Sequence, residues 1–270
     1  MKKLLAIIFA LVLTTACNDD KEELIVYADS SLTAVMREIT QSYCEGNNSV
    51  NLILTTDASN KLTNRISINK GNYCDVYIPM TLKQTETLIT NGYLNESNVA
   101  PFLKNRVVLV QHIDSPHNIT SLDTITNANS IAIAKEGVPI GDFAREALTN
   151  ANKYADVIKT MKVKEYDNDV NLINAIIKGG IDVAMVYATD VLQNRDTLNA
   201  IIEAPDDTIN TPIIYPLALI NESSIYGENF IAYLKSDTAL SIFKKHGFEL
   251  DSSLKAITTQ KDNTTTTTED

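Results

Sequence analysis

Ser31 and Ser59 each stand where an apolar strand pattern gives way to a helical one, and a hydroxyl at such a junction can do two kinds of work. It can cap the helix by accepting a backbone N–H. It can also join the free N–H groups of the first turn in holding an anion at the positive end of the helix dipole. The first serine follows the apolar run 24–27 and precedes Leu32, Val35, Met36, Ile39 and Tyr43 at helical spacing. The second follows the run 50–56 and opens a helix carrying Leu62, Ile66 and Ile68. The junction recurs after residues 130–134, through Gly137-Val138-Pro139-Ile140-Gly141 into a helix over 142–149. Pro139 needs no hydrogen-bond partner there and sets the start of that turn. It recurs again after 163–166, through Asp167-Asn168-Asp169 into a helix with Leu172, Ile173, Ile176 and Ile177.

One such junction is ordinary capping. Four of them describe a doubly wound α/β protein, in which ligands bind at the carboxyl ends of strands against helix N-termini. Catalytic groups are harder to find. His112, His117 and His246 are scattered, and no metal-ligand cluster or Cys/His pair is visible. An enzyme would need a titratable pair in the cleft, and Asp29 with Asp169 or Tyr187 is the candidate pair. The residues therefore point to binding: the expectation is no enzyme, no catalytic residue and no cofactor.

Residues 1–16 read as a signal peptide, with Lys2 and Lys3, an apolar run over 4–13, then Thr14-Thr15-Ala16 before Cys17. The apolar run is too short to span a bilayer. A small residue followed by cysteine resembles a bacterial lipoprotein site, with Thr14 where an aliphatic residue is usual. Cys17 is then the lipidated N-terminus, and a diacylated anchor holds where a single chain slips. Loss of residues 1–16 removes two lysines and no acids, moving the net charge from −11 to about −13. That excess of acid argues against nucleic acid and anionic membrane as partners. It does not exclude an anionic ligand, because aligned N–H groups act at short range while salt screens the global field over roughly 8–10 Å.

At this point the residues carry a family resemblance. Over nearly all of residues 23–248 the chain resembles the periplasmic molybdate-binding proteins of molybdate ABC transporters. The matching stretches are VYADSSLTAVMREI, DASNKLTNRI, CDVYIPMTLKQTETLITNGYL, NRVVLVQH, IAIAKEGVPIGDFAREAL, GGIDVAMVYATDVL, PIIYPLALI and YLKSDTALSIFKKHGF. The resemblance implies a type II periplasmic-binding-protein fold, α/β, with two lobes joined by two crossing strands. About 235 folded residues also suit two lobes better than one. The expected division is signal peptide 1–16, lipidated tether 17–21, lobe one 22–103 plus 212–257, and lobe two 104–211. The crossings are expected in the runs 106–111 and 211–220. The tail 258–270, with five consecutive threonines, is expected to be disordered.

The resemblance also implies a function and a site. The function is capture of a tetrahedral oxyanion, molybdate or tungstate, for a membrane permease of an ABC transporter. The protein would be a monomer, exported and lipid-anchored in the periplasm or on the envelope of a bacterium. The carried-over contacts are Ser31 and Ser59 through hydroxyl and backbone N–H, Ile140 and Asp169 through backbone N–H, and Tyr187 through its phenol; no metal is implied beyond the oxyanion itself. Molybdate, tungstate and sulfate are fully deprotonated near neutral pH and only accept hydrogen bonds, so donors suffice. A protonated phosphate also carries a donor, for which an all-donor cage has no partner.

Two positions depart from the family, Asp29 and Asp169, where small or branched apolar residues are usual. Their carboxylates either cap local backbone or face solvent, or one aims inward and accepts the proton of hydrogen phosphate. Receptors for phosphate or sulfate, an enzyme, and an adhesion lipoprotein on the same scaffold are the other readings. Cys44 and Cys74 sit at the end of the first helix and the start of the strand expected at 75–78. An oxidising compartment permits a bridge between them; two free thiols are the alternative.

Overall fold

The computed structural model describes residues 21–203 and 213–251. The segment 1–16 expected as a signal peptide, Cys17 and the threonine tail lie outside the described residues. The first part of the chain runs β1 (Glu22–Asp29), a 3-10 turn Ser30–Leu32, α1 (Thr33–Gly46), β2 (Val50–Asp57), α2 (Ser59–Ile68), β3 (Val76–Ile78), α3 (Leu82–Thr90) and β4 (Val99–Lys104). The middle runs β5 (Val107–His112), β6 (Ser130–Ala134), α4 (Pro139–Asn150), α5 (Tyr154–Thr160), β7 (Lys162–Tyr166), α6 (Asp169–Ile177), β8 (Val183–Tyr187), α7 (Ala188–Gln193) and β9 (Leu198–Glu203). β10 (Ile214–Leu219), α8 (Ile225–Leu234), α9 (Asp237–Lys245) and β11 (Glu249–Leu250) complete the described chain.

The strands form two mixed sheets, ordered β11-β4-β10-β3-β1-β2 and β7-β6-β8-β5-β9. In the first, β1 runs parallel to β2 and β3; in the second, β6 runs parallel to β7 and β8. Parallel pairs need a helix in each crossover, and helices on both faces bury the central strands. β1 illustrates the consequence. Leu24, Val26 and Ala28 pack in the core that includes Val35, Met36 and Ile39 of α1. Ile25 and Tyr27 point the other way, toward Leu62 and Ile66 of α2 and Leu88 of α3.

That alternation decides the cysteines. Cys44 and Cys74 are both free thiols, which corrects the expected bridge. Cys44 lies in α1, on the face of the sheet that takes Leu24 and Val26. Cys74 packs with Tyr27 and Leu62 on the opposite face, so the sheet stands between them.

The crossing runs also differ from expectation. Residues 107–111 are β5, inside the second sheet, and 214–219 are β10, inside the first. The chain passes from one sheet to the other at Asn105 and Arg106, between β4 and β5; β9 ends at Glu203 in the second sheet, and β10 begins at Ile214 in the first. Asn105 N–H donates to the Ile213 carbonyl at 3.1 Å, so the outgoing and returning chains run side by side. α4 begins three residues before the expected 142, because Pro139 takes a first-turn position that needs no N–H.

Candidate functional site

The register of the first sheet assembles one half of the site. β1 and β2 pair so that Asp29 lies opposite Asp57, and each strand leads two residues later to a serine, Ser31 and Ser59. β3 pairs with β1 at Ala28 and Ile78, and two residues beyond Ile78 comes Met80. Three strand ends therefore deliver their +2 residues to one place. The contacts confirm it: the Met80 N–H donates to Ser59 Oγ at 3.0 Å.

At the centre of this half is Asp29, only 5% exposed. Its Oδ1 accepts the Ser31 N–H at 3.0 Å and the Ser31 hydroxyl at 2.7 Å. Its Oδ2 accepts the Ser59 N–H at 3.1 Å and the Ser59 hydroxyl. A carboxylate has about four lone-pair positions, and all four are used. Ser31 Oγ has spent its proton on Asp29, so the Tyr215 hydroxyl, 3.0 Å away, donates to it. Asn105 Nδ2 reaches Tyr215 Oη at 3.5 Å and Thr189 Oγ1 in α7 at 3.1 Å, which ties the serine half to the second sheet through the crossing chain.

The second sheet supplies the other half from the ends of β6, β7 and β8. Ile140 is buried in the first turn of α4, where its N–H has no acceptor within the helix. Gly141 beside it is obligatory: a Cβ there would come within 2.4 Å of the Ala134 carbonyl oxygen. Arg145 clamps the same turn, its guanidinium donating to the Ala134 and Gly141 carbonyls at 2.8 and 2.9 Å and to Glu165 of β7. Asp169 opens α6, and its carboxylate accepts the N–H of Val170 at 2.9 Å. Burial pushes the Asp169 carboxyl up; the Val170 N–H opposes this and the charge of Asp29 adds to it.

Tyr187 ends β8 fully buried, its hydroxyl 3.4 Å from Met80 Sδ of the other half. Burial drives its phenol well above the ordinary value, with further contributions from Tyr215, Asp29, Asp169 and Asp190. It therefore remains a neutral donor. Asp190 accepts the Tyr187 N–H at 3.2 Å, and burial first, then the charge of Asp169, pushes it up to about 8.

Ser31 and Ser59 thus meet at Asp29, while Tyr187 reaches Met80 beside Ser59 and Asp169 only feels the charge of Asp29. Ile140 lies at the same end of the second sheet, and among the described residues no hydrogen bond joins it to that cluster. Asp29 is neither a purely local cap nor solvent-facing; it caps Ser31 and reaches inward to Ser59. Asp169 keeps to its own helix turn. Tyr215, Asn105, Met80 and Asp190 are further members that the junctions alone did not indicate. Asp190 had a local signal, the three-residue spacing of a capping box from Tyr187. No group of three or more His, Cys, Asp or Glu among the described residues could hold a metal ion. The chemistry on offer is hydrogen-bond donation to an anion.

Two mixed sheets flanked by helices, joined by a double crossing and carrying helix N-termini and hydroxyls at the junction, define the class of type II periplasmic binding proteins. The family model of the bacterial extracellular solute-binding proteins matches residues 24–249, and the chain belongs to that family. A Bacillus subtilis (strain 168) protein, named as the ABC transporter substrate-binding lipoprotein YvgL, is 27% identical over 235 residues, covering 86% of this chain and 88% of that one. The molybdate-binding protein ModA of Escherichia coli (strain K12) is 24% identical over 245 residues, covering 86% and 90%. Among solved structures, a substrate binding domain of a molybdenum ABC transporter from Clostridium difficile superposes with a TM-score of 0.73 at 28% identity, covering 84% of this chain and 98% of that domain.

Proposed function

We propose that this protein captures a tetrahedral oxyanion, molybdate or tungstate first, in the cleft between its two sheets and delivers it to the permease of an ABC transporter. The observation that carries this reading is the set of four donors, two N–H groups and two hydroxyls of Ser31 and Ser59, that converge on a single carboxylate. Such an array is built to hold a negative group, and the opposite half adds a neutral phenol and open helix N-termini. The molybdate-binding name of the Escherichia coli relative and the molybdenum-transporter title of the structural neighbour support the same ligand class. Anchoring through Cys17, supported by a relative that is named a substrate-binding lipoprotein, would keep the receptor beside its transporter.

A second reading rests on Asp29 and Asp169, because burial and, after it, the charge of Asp29 push the Asp169 carboxyl up. A hydrogen phosphate could give its proton to one of them, which molybdate cannot do. Thermal melting of the chain from residue 18 onward, with molybdate, tungstate, sulfate and phosphate in turn, separates the two. A ligand at a thousand times its Kd stabilises the fold by about 4 kcal/mol, roughly 10 °C in Tm for a chain this size. A shift with molybdate and tungstate is the expected result. A shift with phosphate alone transfers the function to the second reading, and no shift with any oxyanion removes both.

A further inference from the structure

Asp29 and Asp57 occupy equivalent places in the sheet, paired in register at the ends of β1 and β2, and they behave differently. The Asp57 carboxylate turns to the Ala58 N–H at 2.7 Å and the Lys61 ammonium at 3.1 Å, with its side chain 45% exposed. It stays local and in water. The Asp29 carboxylate instead crosses to the neighbouring helix start and takes both donors of Ser59 in addition to both of Ser31.

We propose that Asp29 is the specificity-determining residue of the cleft, a tethered anion that occupies the serine half of the cage in place of the ligand. Ligand binding and this Asp29 conformation are mutually exclusive, because the same four donors cannot serve two anions. An incoming dianion must expel the carboxylate, and the displaced carboxylate, held by its short side chain, remains close enough to repel it. Asp57 could not do this, since it points to Lys61. The identity of the probe oxyanion rests on the function proposed above; the occupation of the donors by Asp29 does not.

The proposal makes Asp29→Ala a gain-of-affinity variant. Calorimetry should give a molybdate Kd lower by about tenfold or more than that of the unchanged protein. Asp29→Asn, which preserves the side-chain shape and removes the charge, should shift Kd in the same direction and keeps the test intact if the alanine variant does not fold. A second probe is independent of molybdate. Vacated donors should accept a free small carboxylate, so formate should raise the Tm of Asp29→Ala and leave the unchanged protein unmoved, with chloride at equal ionic strength as control.

Tighter molybdate binding in either variant, or formate stabilisation confined to Asp29→Ala, upholds the proposal. Molybdate binding that is equal or weaker in both variants, together with no formate effect, overturns it while leaving the oxyanion function standing. Formate stabilisation with no molybdate binding in any form upholds it and removes molybdate as the ligand.

Discussion

The two halves of the cleft each bring carboxyls to the end of a sheet, and they treat them in opposite ways. Asp29, in the first half, is met by four donors from two helix starts. Asp190, in the second, is met by the Tyr187 N–H, and burial pushes it up to about 8. Asp169 is shifted up for the same reason. The contrast lies in the donors: Asp29 gathers four from two helix starts, whereas Asp169 and Asp190 are each met by one backbone N–H. The first half is organised by hydrogen bonds to one carboxylate, and the second by burial of its carboxyls.

The largest effect should come from breaking the frame of the second half at Gly141. Its Cβ would meet the backbone oxygens of Ala134 and Lys135 at 2.4 and 2.5 Å, and neither is the mobile end of a side chain. Arg145 holds the Ala134 carbonyl in place at 2.8 Å, so the turn cannot yield cheaply. Gly141→Ala should lose about 3 kcal/mol of stability in urea unfolding. A loss below about 1 kcal/mol would mean that this turn is pliable and the second half is not preorganised.

A smaller effect separates the two serines of the first half. Ser59 is buried, donates to Asp29 and accepts the Met80 N–H. Ser59→Ala strands that N–H as well as one lone pair of Asp29, for a cost of about 2 kcal/mol. Ser31 is less buried, and its hydroxyl joins Asp29 to Tyr215, which Asn105 also reaches. Ser31→Ala should cost about 1 kcal/mol. Both variants should bind oxyanion more weakly, by about 1–3 kcal/mol through a ligand oxygen left unpaired. Equal unfolding midpoints for the two variants would show that the Met80 contact contributes nothing, and unchanged calorimetric affinity in both would remove the serines from the site.

These differences mark what the sequence could and could not disclose. The four strand-to-helix junctions were readable because their signals are local: an apolar run, a Ser, Asx or Pro-Gly turn, then helical spacing. The start of α6 at Asp169 and the serine at the start of α2 follow directly from them. The inward reach of Asp29 was not readable, because it depends on a partner 30 residues away that the β1–β2 register places beside it. Tyr215 bonds Ser31 across 184 residues, from a strand whose apolar run gave no reason to single out one hydroxyl. The cysteines misled for a related reason. Cys44 and Cys74 sit at the edges of adjacent elements, yet strand alternation sends their neighbours to opposite faces of one sheet.

The smallest effect tests the second half by pH. Folding raises the Asp190 carboxyl from 3.8 to about 8, so between those values the folded protein holds a proton that the unfolded chain has released. Stability therefore falls as pH rises through that window, and is free of this penalty below it. Asp169, shifted in the same direction, adds to the slope. Asp57 and Asp182 are shifted down, so their stabilising effect changes below about pH 4, outside the window. Asp190→Asn retains an oxygen for the Tyr187 N–H and removes the titration. Urea midpoints taken from about pH 5 to pH 8 should decline in the unchanged protein and decline less in Asp190→Asn. Parallel declines in the two proteins would mean that Asp190 reaches water in solution, and the distinction between a donor-held first half and a desolvated second half would then rest on Asp169 and Tyr187 alone.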